Sequence, residues 1–176
     1  MNLYMIGYEG LNQTEFFRLL NLSSIKTLID IRELPLSRKA GFSKNQLLKT
    51  ASLNNIDYIH KSSLGCPRDI RHAYRNNGNW LDYSVNFFSY LCTQQKALQE
   101  LSEIVSRNNS CLMCFEADYF KCHRSYVSLM LEKRFLSGLI VKDLRSIKAS
   151  WAEETFVEDI QAQLLTIDLE IDALCP

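Results

Sequence analysis

Short apolar, β-prone runs recur along the chain, and most intervals between them carry apolar residues at helical spacing. The first run, LYMIGY (3–8), closes on Gly7-Tyr8. Thr14 then reads as an N-cap for a helix whose apolar face is Phe16, Phe17, Leu19 and Leu20. TLIDIR (27–32) reads as a buried strand ending in charge. Pro35 breaks the chain, and the basic loop PLSRKAGFSK leads to a helix through Gln46–Leu53, with Ser43 as its cap. IDYIHK (56–61) is a third strand. SSLGCPRDIRHAYRNNGNW is polar and rich in turn formers, so a long loop is expected there. Residues 81–106 read as helix, with Leu98, Leu101, Ile104 and Val105 in phase, and Asn108-Asn109 stop it. SCLMCFE (110–116) is the clearest strand, CHRSYVSLMLEKRF (122–135) the clearest helix, and LIVKDL (139–144) a last strand.

Near-continuous apolar strands alternating with helices predict an α/β fold, a mainly parallel sheet with helices on both faces. A single domain is expected over 1–148. The tail 149–176 reads as an amphipathic helix, with Trp151, Phe156, Ile160, Leu164 and Leu165 on its apolar side, packing on the domain or on a partner subunit as in a homodimer. Its polar face is acidic, which argues against a membrane-surface helix. In this fold class, ligands sit beyond the carboxyl ends of the strands. Those ends fall at Gly7-Tyr8, Asp30-Ile31-Arg32, His60-Lys61 and Glu116-Ala117-Asp118, where most of the polar residues that are expensive to bury also fall.

The chain has 176 residues, with 20 basic and 20 acidic side chains, so no global charge favours nucleic acid or an anionic membrane. No stretch approaches a membrane span. MNLYMIGYEG lacks the features of a secretory signal, so a cytoplasmic protein with mostly free thiols is expected despite six cysteines.

The densest chemistry lies in CFEADYFKCHRS (114–125). Cys111, Cys114, Cys122 and His123 offer four zinc-ligand types. However, strand positions three apart face opposite sides, and adjacent Cys122 and His123 at a helix start should diverge, so neither metal nor cofactor is expected. Cys111 is expected to be packing. Cys122, near a helix N-terminus and cations, is the thiol expected to have a lowered pKa, and close helix–sheet packing explains it somewhat more simply than a nucleophilic or redox role. The strand-to-helix turn, with Lys121, Arg124 and Ser125, could take an anion, helped by Arg32 and Arg38, although no glycine-rich cradle is present. Glu116 is a candidate acid or base or else an ion-pair partner; Asp30 reads more simply as an ion-pair partner. Tyr8 and His60 are weaker candidates. SRKAGFSK could touch nucleic acid through its cations and Phe42, although zero net charge favours a solvated loop.

Several segments together resemble the domain-of-unknown-function 488 family of small, mostly prokaryotic proteins: MIGYEG with TEFFRLL, LIDIRELPLSRKAGFSKNQL, YIHKSSLG and, above all, LMCFEADYFKCHRSYVSLML. The matching positions are Gly7, Tyr8, Asp30, Arg32, Pro35, Ser37, Arg38, Phe42, Cys114, Glu116, Cys122, His123 and Arg124, within about residues 3–145. Cys66 stands where the family pattern has a second glycine after Leu64-Gly65. The resemblance implies an α/β sandwich with its polar signatures at one sheet edge, and no particular reaction.

The leading expectation is an enzyme or enzyme-like domain acting on a small anionic or nucleotide-like ligand. Glu116, Cys122, Cys114 and His123 would supply the chemistry, and Tyr8, Asp30, Arg32, Arg38 and Arg124 would hold the ligand. The alternative is a non-catalytic nucleic-acid or nucleotide-binding module using the same arginines.

Overall fold

The apolar runs form one five-stranded, all-parallel sheet in the computed structural model, which describes residues 1–145. The strands are β1 (Asn2–Gly7), β2 (Thr27–Asp30), β3 (Asp57–His60), β4 (Ser110–Cys114) and β5 (Ile140–Asp143), in the spatial order β3-β2-β4-β1-β5. The helices are α1 (Gln13–Leu22), α2 (Lys44–Leu53), α3 (Arg68–Asn77), α4 (Trp80–Cys92), α5 (Gln95–Arg107) and α6 (His123–Arg134). This is the expected α/β architecture. The expected tail helix, 149–176, lies outside the described residues.

Strand alternation divides the core into two. Leu3, Met5, Ile29 and Leu112 pack with residues of α4, α5 and α6; Ile6, Leu28, Cys111 and Met113 pack with residues of α1 and α2. All five β4 residues are buried, as a central strand covered on both faces requires. β1 and β4 are neighbours, with Gly7 opposite Cys114. The helix after β1 lies on one face, and the helix after β4 lies on the other. Their loops therefore part at the carboxyl ends of these two strands, where open parallel sheets form their crevices. The parting is tight. A Cβ on Gly7 would lie 1.7 Å from the Glu116 carbonyl oxygen, so lack of space makes this position glycine.

Three local expectations are corrected. α1 is capped by Asn12, not Thr14: Asn12 Oδ1 accepts from Glu15 N at 2.8 Å, and Asn12 N donates to Glu15 Oε2 at 3.3 Å. This reciprocal box outcompetes a hydroxyl two residues later. The expected long loop at 62–80 contains a 3-10 turn, Ser62–Leu64, and α3. Because α3 buries no residue fully and leans on the core through half-buried Ile70 and Tyr74, its polar sequence resembles a loop. The single helix expected at 81–106 is α4 and α5. Phe87, Phe88, Leu91, Leu98 and Leu101 all face one core, so apolar spacing does not reveal the break.

Candidate active site at the end of the fourth strand

Two polar clusters are buried side by side at the strand ends. At β2, Asp30 is fully buried and Arg32 nearly so. Arg32 grips Asp30 with both sides of its guanidinium, Nε to Oδ1 at 2.8 Å and Nη2 to Oδ2 at 2.5 Å, while its backbone N reaches Oδ1 at 3.1 Å. Tyr58 Oη donates to Oδ2 at 2.6 Å. The remaining arginine nitrogen, Nη1, donates to Tyr8 Oη at 3.0 Å and to the Phe42 carbonyl at 2.9 Å. Phe42 in turn stacks on Tyr8 with centroids 4.4 Å apart. Burial opposes the charge on Arg32, but the bond and charge of Asp30 outweigh it and raise its pKa. The expected ion pair at Asp30 is therefore present. The polar tips of Tyr8 and Arg32, both expected to hold a ligand, are engaged with one another and with the fold.

The β4 cluster is different. Strand alternation turns Cys114 to the α6 side with Leu112, away from Cys111, as expected. Cys122 and His123 do not diverge as expected. The 3-10 turn Tyr119–Lys121, fixed by Asp118 Oδ1 accepting from Phe120 N, delivers both to the carboxyl end of β4. Cys122, in extended conformation at the N-cap of α6, points its Sγ to Glu116 Oε2 at 3.2 Å. Cys114 Sγ reaches the same oxygen at 2.8 Å. His123 Nδ1 lies 3.6 Å from Cys114 Sγ and 3.8 Å from Cys122 Sγ. His123 Nε2 faces the Ile31 carbonyl at 3.0 Å. A carbonyl only accepts, so Nε2 carries a hydrogen and the Nδ1 edge is presented to the sulfurs.

Charge within the cluster follows from its crowding. Burial opposes the Cys122 thiolate, but a hydrogen bond from Cys114 and the cationic Arg124 and His123 overcome it, holding Cys122 well below the ordinary thiol value. Cys114 is pushed well up by burial and by the negative charge of its neighbours. Glu116 is raised by burial and by Cys122. His123 is raised because the negative Cys122 and Glu116 outweigh its burial. A thiolate–imidazolium pair with a protonated second thiol is the arrangement these effects favour.

Arg124, expected to hold a ligand, is fully buried. Its Nη1 donates to the Glu116 carbonyl at 2.6 Å and its Nη2 to the Ala117 carbonyl at 3.1 Å, and these bonds brace the loop bearing Glu116. Arg38 is exposed on the β2–α2 loop. His60 donates from Nε2 to the Arg32 carbonyl at 2.8 Å. Sequence reading gave no role to Cys66. It is buried, hydrogen-bonded with Tyr83, and pushed up to about 12 chiefly by burial, within electrostatic reach of Glu116. The glycine-to-cysteine departure beside Gly65 is the sequence signal that marks it.

Among the described residues no helix is long and apolar enough to cross a membrane. No curated protein and no solved structure matches this chain. The family described as "Domain of unknown function DUF488" matches residues 12–131, which is more than half of the chain and includes both buried clusters apart from Tyr8. The chain belongs to the DUF488 family.

Proposed function

We infer that this protein is an enzyme or enzyme-like domain that acts on a small anionic or nucleotide-like ligand at the β4 strand end, with Cys122 as nucleophile. One observation carries this reading: two thiols share a single carboxylate oxygen, with an oriented imidazole beside them, where the loops after β1 and β4 part. Group transfer fits these parts. Cys122 stands as the thiolate with its proton on His123, and the sulfur electron pair forms a bond to an electrophilic centre as that centre's bond to the leaving group breaks. The leaving group takes its proton from the Nδ1 of the His123 imidazolium, which leaves the imidazole neutral. His123 stabilises the thiolate before attack, and exposed Arg38 and Lys121 are cations available to an anionic substrate.

Iodoacetamide tests the nucleophile directly. In full-length protein dialysed against EDTA, mass spectrometry should find Cys122 alkylated at pH 7 on the order of 10-fold faster than buried Cys111. His123→Gln, which removes a cation that holds the thiolate, should slow that labelling. Equal rates for Cys122 and Cys111 would overturn the reading. Binding that survives Cys122→Ser but collapses in Arg38→Ala with a steep salt dependence, without turnover, would favour the nucleic-acid or nucleotide-binding module.

A further inference from the structure

We propose that Cys114, Glu116, Cys122 and His123 form a binding site for a thiophilic divalent cation, zinc in the first instance. The donor types come first. Two thiols and an imidazole select borderline-soft ions over magnesium or calcium, and one carboxylate completes a four-donor set. Geometry is the second observation. The sulfur, nitrogen and oxygen donors all lie within 4.8 Å of one another. Cys114–Glu116 are 2.8 Å apart, Cys122–Glu116 3.2 Å, Cys114–His123 3.6 Å and Cys122–His123 3.8 Å, and no donor pair exceeds 4.8 Å. With metal–sulfur and metal–nitrogen bonds of roughly 2.3 and 2.0 Å, the edges of a tetrahedral site are about 3.3–3.8 Å, so the donors already stand near its corners.

The third observation is the orientation of the imidazole. A ligating histidine characteristically donates its other ring N–H to a carbonyl or carboxylate, which aims the free nitrogen at the metal. His123 has this arrangement, with Nε2 on the Ile31 carbonyl and the Nδ1 edge toward both sulfurs. Charge balance is the fourth. Two thiolates and a carboxylate around a divalent ion leave a single negative charge. Buried Arg124, close enough to both cysteines for their charges to act on it, neutralises that excess. The pattern is therefore Cys-x-Glu-x5-Cys-His, and the apparent Cys111-x2-Cys114 pair is not part of it.

Cobalt(II) substitution tests the site in the full chain after EDTA dialysis. Titration should give a single equivalent of bound ion, a thiolate-to-cobalt charge-transfer band and tetrahedral visible bands, all displaced by zinc. Cys111→Ser should keep the band. Cys114→Ala and Cys122→Ala should lose it, with affinity weakened by on the order of 100-fold or more, at least as much as loss of an outer-sphere partner costs. Wild-type protein without the band overturns the proposal, whatever the variants do. A band that survives in both Cys114→Ala and Cys122→Ala overturns it too. The thiol reading fails separately: a chain that binds cobalt through sulfur yet resists alkylation when metal-free refutes the nucleophile alone, and a chain that is alkylated but gives no band refutes the metal site alone.

Discussion

The ends of β2 and β4 are adjacent, buried and polar, yet they satisfy their carboxylates in opposite ways. Both oxygens of Asp30 receive donors, from the guanidinium and backbone of Arg32 and from Tyr58. Oε2 of Glu116 accepts from two thiols, which are weak donors. The first cluster has spent its hydrogen-bonding capacity on holding the fold. The second retains titratable protons and lone pairs, because sulfur cannot saturate a carboxylate as an arginine fork does. Burial alone therefore does not distinguish the two clusters; the donors their carboxylates meet do.

Substitutions can break this comparison in graded steps. The largest effect is expected from Asp30→Asn, which strands a buried guanidinium and should cost about 3–5 kcal/mol in urea denaturation. A loss below about 1 kcal/mol would mean that Asp30 is not the structural anchor. Arg124→Met removes the donors to two loop carbonyls and should cost about 2–3 kcal/mol. It should also lower Cys122 alkylation, since the Arg124 cation helps to hold the thiolate; unchanged labelling would detach the brace from the site. Gly7→Ala forces a methyl into the Glu116 backbone and should cost about 1–3 kcal/mol. Its damage belongs to the β4 cluster, so Cys122 labelling should change while the Asp30 cluster keeps its protection from amide exchange; the reverse pattern would refute that assignment. Tyr58→Phe deletes one of several donors to Asp30 and should cost about 1 kcal/mol, with no change at Cys122. Arg38→Ala should alter stability by no more than about 0.5 kcal/mol, as befits an exposed side chain. A larger loss would show that Arg38 also belongs to the folded network.

Much of this was legible in the chain. Apolar runs such as TLIDIR and SCLMCFE are strands because a strand buried on both faces has no polar side to show. Alternation along β4 separates Cys111 from Cys114. The Asp30–Arg32 pair followed from charges at the end of a buried strand. Other features were not legible. α3 carries no buried residue and α5 continues the apolar phase of α4, so hydropathy concealed one helix and merged two. Arg32 and Arg124 looked like ligand-binding cations because sequence reports a charge but not which carbonyl or carboxylate will claim it.

The sequence by itself determined the parallel sheet, the faces of its strands and the gathering of reactive residues near strand ends, because period and composition encode which side of a local element is buried. Tertiary structure alone decided that Cys122 and His123 turn back toward Cys114 and Glu116, and that two of the three candidate arginines are braces. Those outcomes depend on a 3-10 turn and, from segments distant in sequence, on a glycine without room for a Cβ and the Ile31 carbonyl just past β2. Local periodicity carries no information about such contacts.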